Sequence, residues 1–381
     1  MKRPAYGEFG RNELGVLGTS CGLIQQLAKK LIQSLSESYR LAYVDADHKE
    51  GDRLLAGEGE EDSLMSVTGT MEFRDKILFK RIDLAVESNS PFERRQWFNK
   101  QDLILINANH FKAKSQILVI DSNKSLEKKL DKLTDVQMIL LKTNEETVPD
   151  VIRKLLPDWE KLPCYTIDET EKITGFISGW LQKNTAPVNG LVLSGGKSTR
   201  MQKDKGDLVY HGKSQRQHMM DMLAPYCQSV YLSCNPVQAP ILEEKFPVVQ
   251  DKVLELGPMG GLISAFMQEP DHAWLTVACD LPYLTEGTIK YLIDRRNPSK
   301  HATAFLDPEG KFPEPLITIW EPRSYPLLLQ FLSQGYSCPR KVLINTDIEL
   351  LKAPDVREFR NINYPEEFEA AIKDLHPRRG G

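Results

Sequence analysis

The sequence predicts an α/β protein of two domains, and two features of the chain support this prediction. The length of 381 residues exceeds an ordinary single core and is sufficient for two. Both halves alternate short apolar segments with longer amphipathic ones, which is the pattern of parallel strands joined by helices. We expect a doubly wound, Rossmann-like domain in residues 188–381 and a second α/β domain in residues 1–187.

The second half shows this alternation most regularly. The expected strands are residues 190–193, 229–234, 246–251 and 273–280, and the expected helices are residues 214–226, 259–268 and 285–296. Strands that are apolar throughout are buried on both faces, so helices should cover both sides of a parallel sheet. In such a sheet, ligands bind beyond the carboxyl ends of the strands.

The first half has the same rhythm. The expected elements are strands at residues 14–18, 39–47, 102–109, 116–121 and 136–142, and helices at 22–36 and 169–181. The polar segment QKNTAPVNG at residues 182–190 contains a proline and a glycine and is typical of a linker. We therefore place the domain boundary near residue 187.

Composition excludes several classes of function. The formal net charge of −4 argues against a general binder of nucleic-acid backbones. No segment has the roughly 20 apolar residues of a membrane span, and the first residues lack the apolar core of a signal peptide, so we expect a cytoplasmic protein. The six cysteines are scattered without a CxxC pair, which favours reduced thiols over a zinc site or a disulfide framework.

The segment LSGGKSTRMQKDK at residues 193–205 has the features of an anion-binding loop. Adjacent Gly195 and Gly196 let the backbone approach a ligand, and their amides can point at phosphate oxygens. Alone, two glycines more often make a plain tight turn. The cations that follow change this balance, since they would crowd the ligand-binding edge of the sheet: Lys197, Arg200, Lys203 and Lys205.

Carboxylates follow two other predicted strands. Asp251 ends VVQD, and Asp280 ends an apolar run that Pro282 prevents from continuing. An aspartate at a strand end is often only a turn former. Opposite a phosphate-binding loop, however, a carboxylate is the hard oxygen ligand that Mg²⁺ prefers beside substrate phosphates.

Taken together, these motifs resemble those of a known family, the nucleotidyltransferases that act on molybdopterin. The segment LSGGKSTRMQKDK, the later Gly212-Lys213 pair, VVQDKVLELGPMGG, CDLPYL, PEPLITIW and FRNINYPEEF occur in the family's order over essentially all of residues 188–375. The glycine-rich opening is shared with many sugar nucleotidyltransferases. The later motifs are more specific and are similar to those of molybdenum cofactor guanylyltransferase.

The resemblance implies a role for each matching position. Backbone groups of four residues would contact GTP: Leu193, Ser194, Gly195 and Gly196. Lys205 would neutralise phosphate charge, and Arg200 would assist the departing pyrophosphate. Asn235 and Asp251 would recognise the nucleoside, and Asp280 would bind Mg²⁺. Asn361 and Asn363 are candidates for the pterin side or for closing the site, although asparagines before a helix are also common caps.

The implied reaction is transfer of GMP from GTP to the terminal phosphate of molybdopterin, the organic part of the molybdenum cofactor, with release of pyrophosphate. That phosphate is already an anion, so positioning and charge neutralisation should suffice without a general base. Molybdoenzyme maturation proteins are further candidate partners. Two alternatives are left open: a cytidylyltransferase acting on the same cofactor, and a non-catalytic cofactor-binding adaptor.

The first half resembles, more loosely, the P-loop GTP-binding adaptor protein of the same pathway. LGVLGTSCGLIQQL has the order strand, glycine loop, helix, but Leu23 and Ile24 follow Gly22 where a P-loop has GK[ST]. We therefore expect a degenerate, adaptor-like domain without nucleotide hydrolysis. His48 and His110 lie near strand ends, but single histidines have no metal-ligand spacing.

Overall fold

The computed structural model describes residues 1–46, 71–75, 79–84, 90–194 and 204–376. The chain divides into two compact units, one formed by Ala5–Asn184 and the other by Met1–Pro4 together with Thr185–Gly381. Within the described ranges, no helix combines the length and the apolar composition needed to cross a membrane.

The first unit contains a six-stranded parallel sheet and a separate hairpin. Its strands are β1 (Glu13–Leu17), β2 (Leu41–Val44), β3 (Glu72–Asp75), β4 (Lys80–Asp83), β5 (Leu103–Asn107), β6 (Ser115–Ile120), β7 (Asp135–Leu141) and β8 (Cys164–Thr166). The sheet has the order β2-β5-β1-β6-β7-β8, and β3 pairs antiparallel with β4. Every residue of β1, β5 and β6 is buried, as expected of a sheet that is covered on both faces.

The helices of the first unit are α1 (Cys21–Leu35), α2 (Pro91–Trp97), α3 (Asp150–Leu155) and α4 (Thr170–Lys183). Helix α1 begins after Ser20, whose hydroxyl accepts a hydrogen bond from the Leu23 amide. Apolar residues spaced by three or four positions form its buried face: Ile24, Leu27, Ala28, Leu31 and Leu35. These side chains pack in one cluster with residues of β1, β5 and α4.

The loop between β1 and α1 keeps the turn of a phosphate-binding loop but not its polar ligands. Gly18 has a φ of 108°, and a Cβ at this position would lie 2.1 Å from the carbonyl oxygen of Val119. Only glycine fits there. Ile24, where a P-loop has its hydroxyl, is fully buried in the core.

The second unit is built on a seven-stranded sheet. Its strands are β9 (Val188–Leu193), β10 (Val230–Cys234), β11 (Val248–Gln250), β12 (Ala273–Ala278), β13 (Ala302–Leu306), β14 (Pro313–Trp320) and β15 (Glu349–Leu351), in the spatial order β11-β10-β9-β12-β14-β13-β15. Its helices are α5 (Gln215–Leu223), α6 (Ala239–Leu242), α7 (Pro258–Gln268), α8 (Glu286–Asp294), α9 (Ser324–Ser333), α10 (Pro339–Ile344) and α11 (Pro365–Leu375).

Helices cover both faces of this sheet. Leu275 and Val277 of β12 pack in one hydrophobic cluster with residues of α5 and α8, whereas Trp274 packs in another with residues of α7. Because alternate residues of a strand point to opposite faces, the two clusters lie on opposite sides of the sheet. The predicted α/β fold, with a doubly wound second domain, is confirmed.

The four strands expected in the second domain correspond to β9, β10, β11 and β12 and are parallel, but the sheet also contains an antiparallel strand that was not predicted. Strand β14, which contains the PEPLITIW segment, runs antiparallel to both β12 and β13. The cause is the short turn between β13 and β14, where the Asp307 amide donates to the carbonyl of Phe312 at 2.7 Å and Gly310 has a positive φ of 68°. A turn of this length can join only antiparallel neighbours.

The predicted linker at residues 182–190 is also corrected. Helix α4 continues to Lys183, and β9 already begins at Val188. Only residues 184–187 lie between the two elements. The polar composition of the helix end and the glycine in the strand made both look like linker residues. Gly190 instead packs inside the second unit, where an added Cβ would lie 3.2 Å from the Leu223 side chain.

Candidate functional site

A cavity of about 1150 Å³ lies at the carboxyl ends of β9, β10, β11 and β12, and we call it the strand-end cavity. Its lining contains six of the residues singled out from the sequence: Leu193, Ser194, Lys205, Asn235, Asp251 and Asp280. Strand ends in a parallel sheet meet at one edge, which is why residues so far apart in sequence converge here. The loop of residues 254–258 forms another part of the wall.

Lys205 and Asp280 form the charged centre of the strand-end cavity. The Lys205 Nζ donates to Asp280 Oδ2 at 2.9 Å and to Asn363 Oδ1 at 2.6 Å. The lysine and aspartate side chains are each about four-fifths buried, with exposed fractions of 19% and 18%. Lys205 and Asp280 therefore present one cation and one anion to anything bound in the cavity, and Asn363 supports the lysine.

The segment before α11 fixes Asn363 in this position. The Asn363 amide donates to Glu367 Oε2 at 2.7 Å, and the Ile362 amide donates to the Asp280 carbonyl at 3.1 Å. Ile362 is almost fully buried, in a cluster with Leu208. Asn361 and Asn363 are both partly buried, and neither is among the described residues that line the cavity. The two asparagines proposed together from sequence differ in that Asn363 accepts a hydrogen bond from Lys205.

Asp251 is the second carboxylate of the cavity. It accepts a hydrogen bond from the Ser233 hydroxyl at 3.0 Å, and burial raises its pKa to about 6. The GPMGG motif makes room for this pair. A Cβ on Gly261 would lie 2.3 Å from Ser233 Oγ, and Gly257 begins the turn into α7 with a φ of 54°.

Asn235 has a clear structural role at the end of β10. Its Oδ1 accepts hydrogen bonds from the backbone amides of Val237 and Gln238 at 2.9 and 3.0 Å. This is the geometry of an asparagine that caps a turn. The side-chain oxygen is thus used within the protein, and the amide nitrogen is the group that would have to serve a nucleoside.

Arg216, on α5, is a residue of this site that sequence reasoning missed. Its guanidinium is 4% exposed and forms ion pairs with Asp204 and Asp207, which flank Lys205. Its Nε donates to Ser194 Oγ at 2.8 Å. A single buried cation therefore joins the end of β9 to the turn that carries Lys205.

Gly206 shows how closely this turn packs on Arg216. An added Cβ would lie 2.3 Å from the arginine Nε, so the turn can approach the guanidinium only without a side chain. Gln238 supports the same turn, since its Nε2 donates to Asp204 Oδ2 at 3.1 Å. In the sequence, Gly206 was the only feature that indicated a close contact at this turn.

Three predicted site residues lie outside the described residues: Gly195, Gly196 and Arg200. The same holds for Lys197 and Lys203, and for His48 in the first unit. Their roles remain predictions. Among the residues that the structure does describe, no three His, Cys, Asp or Glu side chains converge as a metal site. Asp280, as a single carboxylate, fits an ion such as Mg²⁺ whose other ligands are substrate phosphates and water.

A doubly wound sheet with a charged cavity at its strand ends is an arrangement that binds small ligands such as nucleotides. Residues 190–348 match the family described as "MobA-like NTP transferase domain". The second unit therefore contains a MobA-like nucleotidyltransferase domain, which confirms the resemblance predicted from its motifs.

The chain is also similar to individual proteins. The "Molybdenum cofactor biosynthesis bifunctional protein" of Synechocystis sp. is 34% identical over 205 residues, which cover 53% of this chain and 58% of that protein. The "Molybdenum cofactor guanylyltransferase" of Vibrio cholerae is 28% identical over 200 residues, covering 49% of this chain and 92% of that protein. Among solved structures, "Molybdopterin-guanine dinucleotide biosynthesis protein A" of Archaeoglobus fulgidus matches 49% of this chain at 17% identity, with a TM-score of 0.42.

Proposed function

We propose that this chain transfers GMP from GTP to the terminal phosphate of molybdopterin and releases pyrophosphate. The observation that carries the proposal is the presence of Lys205, Asp280 and Asp251 in the lining of one cavity, with Lys205 hydrogen-bonded to Asp280 and to Asn363. The relatives named guanylyltransferases match about half of this chain, and the MobA-like family matches residues 190–348, which contain the residues that line this cavity. Because the chain covers 58% of the Synechocystis protein, the activity of the whole chain is a proposal.

In the proposed mechanism the protein brings two anions together at the α-phosphorus. Lys205 offsets phosphate charge from a fixed position, and Arg200 is proposed to act on the leaving pyrophosphate. Asp280 would hold Mg²⁺, which when bound supplies further charge neutralisation. The attacking phosphate is already ionised, so the chain needs to orient and neutralise rather than to remove a proton.

Asp251 is the proposed determinant of base choice. A carboxylate only accepts hydrogen bonds, and the pairing edge of guanine offers neighbouring N–H donors, whereas that of cytosine offers a single amino group. Its burial at the end of β11 would restrict it to a base inserted deep in the cavity. This supports GTP over CTP as the donor.

The test is nucleotide turnover with GTP, CTP, ATP and UTP, each with molybdopterin and Mg²⁺. We expect GTP to be consumed fastest, with pyrophosphate and the guanine dinucleotide as products. Faster turnover of CTP would replace the guanylyltransferase assignment by a cytidylyltransferase. A folded protein that binds molybdopterin but turns over no nucleotide would support the adaptor alternative. Molybdoenzyme maturation proteins are proposed as later recipients of the product.

The pKa of Asp251 predicts a pH dependence of GTP binding. Since burial raises this pKa to about 6, the carboxylate loses its charge as the pH falls through that value, and it becomes a poorer acceptor. We expect the affinity for GTP to weaken from about pH 7.5 to about pH 5, measured by calorimetry. Asp251→Asn should remove the pH dependence of GTP affinity that comes from this carboxyl group. The pH dependence that remains then reflects the titration of GTP itself. An identical pH profile in both proteins would contradict the prediction.

The carboxyl group of Asp251 also affects the stability of the fold, and here its charged form is the unfavourable one. A carboxyl whose pKa is raised in the folded state favours folding at low pH and loses that contribution as the pH rises through about 6. Asp251→Asn should therefore raise the melting temperature at about pH 8 more than at about pH 4.5. Asp294→Asn, at an exposed ion pair on α8, serves as the matched control.

Arg216 is predicted to position Lys205. Arg216→Met keeps the length of the side chain but removes the cation that ties the turn to Ser194, so Lys205 should lose its fixed position. We expect kcat/KM for GTP to fall on the order of 10- to 100-fold, because small displacements of positioning groups have effects of this size. Arg216→Lys should restore only part of the loss, since an ammonium group cannot reproduce the planar contacts of a guanidinium.

Two further variants separate positioning from a general loss of structure. Gly206→Ala should produce the same kinetic defect without any change of charge, because its methyl group would displace the guanidinium. Arg295→Met removes an arginine that stacks on Tyr291 in the same unit and should leave turnover unchanged. Wild-type kcat/KM in a folded Arg216→Met protein would show that the turn does not depend on this arginine.

A further inference from the structure

A second group of chemically reactive side chains lies in the first unit, in the loops that follow β1, β2 and β5. Cys21 is the first residue of α1, and its Sγ is 3.2 Å from His110 Nε2. Asn109 Nδ2 donates to the same sulfur at 3.5 Å. Asp45 Oδ1 lies 3.9 Å from the same histidine nitrogen. A thiol, an imidazole and a carboxylate are thus brought together where the sequence lacks the phosphate ligands of a P-loop.

The partners of the thiol are held by their own hydrogen bonds. Asp45 accepts from Asn107 Nδ2 at 2.8 Å and from the Tyr43 hydroxyl at 2.6 Å. Asn109 also donates to the Thr19 carbonyl at 3.0 Å, and its Oδ1 accepts from Lys129 Nζ at 2.6 Å. These contacts fix the side chains around Cys21, so the arrangement does not depend on a single flexible side chain.

This environment places a proton acceptor and a hydrogen-bond donor against the Cys21 sulfur. The imidazole can accept the thiol proton, and the nearby carboxylate of Asp45 then stabilises the imidazolium. The amide of Asn109, the positive end of the 15-residue helix α1 and the ammonium group of Lys129 all attract negative charge on the sulfur. Cys21 is also exposed, so a reagent can approach it.

The other thiols of the chain provide an internal comparison. Cys164 and Cys338 are exposed as well, whereas Cys227, Cys234 and Cys279 are buried or partly buried. Burial and the charge of Glu169 raise the pKa of Cys164, which disfavours its thiolate. Of the exposed thiols, Cys21 is the one with an imidazole at contact distance among the described residues.

We propose that Cys21 and His110 form a thiol-modification site that reacts with small disulfides. The sulfur of Cys21 attacks one sulfur of the disulfide, and its proton passes to His110 Nε2. The S–S bond of the reagent breaks, and its second half leaves as a thiolate that takes up a proton. The Cys21 sulfur is oxidised into a mixed disulfide, and the departing sulfur is reduced, so the exchange needs no other oxidant.

The experiment uses the intact protein and oxidised glutathione at about pH 7.5. Samples are quenched with acid, and the mixed disulfide at each cysteine is measured by mass spectrometry. We expect Cys21 to react roughly tenfold or more faster than Cys164 and Cys338. His110→Gln should reduce the rate at Cys21 to that of Cys338, while His272→Gln, in the other unit, should leave it unchanged.

The comparison of cysteines within the wild-type protein does not require any variant to fold. Equal rates at Cys21 and Cys338 would overturn the proposal. So would an unchanged rate at Cys21 in a folded His110→Gln protein, because the histidine would then have no part in the reaction. Loss of labelling in Cys21→Ser identifies the modified sulfur independently of the peptide assignment.

Discussion

Asp280→Asn is expected to abolish nucleotidyl transfer while the fold is retained. The substitution keeps the shape of the side chain but removes the charge of the proposed Mg²⁺ ligand. A metal ion at a transferring phosphate contributes several kcal/mol, so the loss of turnover should be on the order of 100-fold or more. Asp280 is about four-fifths buried at the end of β12, where an amide can still accept from Lys205.

The measurement is turnover of GTP with molybdopterin over a range of Mg²⁺ concentrations, with circular dichroism and thermal unfolding on the same samples. Asp294→Asn is the matched control, because it makes the same chemical change at an exposed ion pair on α8. Wild-type turnover by a well-folded Asp280→Asn protein would remove Asp280 from the metal site. If a high Mg²⁺ concentration restores turnover in Asp280→Asn, the carboxylate charge strengthens metal binding but is not essential for the transfer.

Lys205→Ala is expected to weaken GTP binding much more than it lowers stability. The ammonium group donates to polar atoms of Asp280 and Asn363, and its removal deletes no side chain of the hydrophobic core. A charge-assisted contact to phosphate is worth roughly 1.5–3 kcal/mol, which corresponds to a decrease in affinity of about 10- to 150-fold. Isothermal calorimetry with GTP and Mg²⁺ measures this change directly.

A suitable comparison is Lys290→Ala, which removes an exposed lysine from an ion pair with Asp294 and should leave GTP affinity unchanged. Unaltered affinity in Lys205→Ala would mean that the lysine is bound to Asp280 for structural reasons alone. A large decrease in melting temperature would also contradict the prediction. Both proteins lose one positive charge, so a general electrostatic effect on an anionic ligand would appear in each.

The strand ends of the second domain could be predicted because local chemistry defines them. Each of Leu193, Asp251 and Asp280 follows an apolar run, and runs of this kind form buried parallel strands whether or not their neighbours are known. The direction of β14 could not be predicted in this way. It depends on a turn closed by Gly310 and on pairing with β12, which lies outside any local window.

Arg216 was missed for a related reason. In the segment SQRQHMMDML it has the appearance of a polar residue on the outer face of a helix, and nothing nearby marks it as buried. Its burial follows from two carboxylates and a serine that other segments supply. The sequence also placed Asn361 and Asn363 together. Only the packing of Ile362 between them separates a residue that contacts Lys205 from one that does not.

The contact between Lys205 and Asn363 spans 158 residues of the chain. During synthesis on the ribosome, a nascent chain that has emerged only as far as β14 has made Lys205, Asp251 and Asp280 but not the segment that holds Asn363. Contacts of such long range form late, because the intervening chain must first be ordered. The polar group around Lys205 is therefore completed only when the segment before α11 has been made, so a chain that is still being translated would carry an incomplete site.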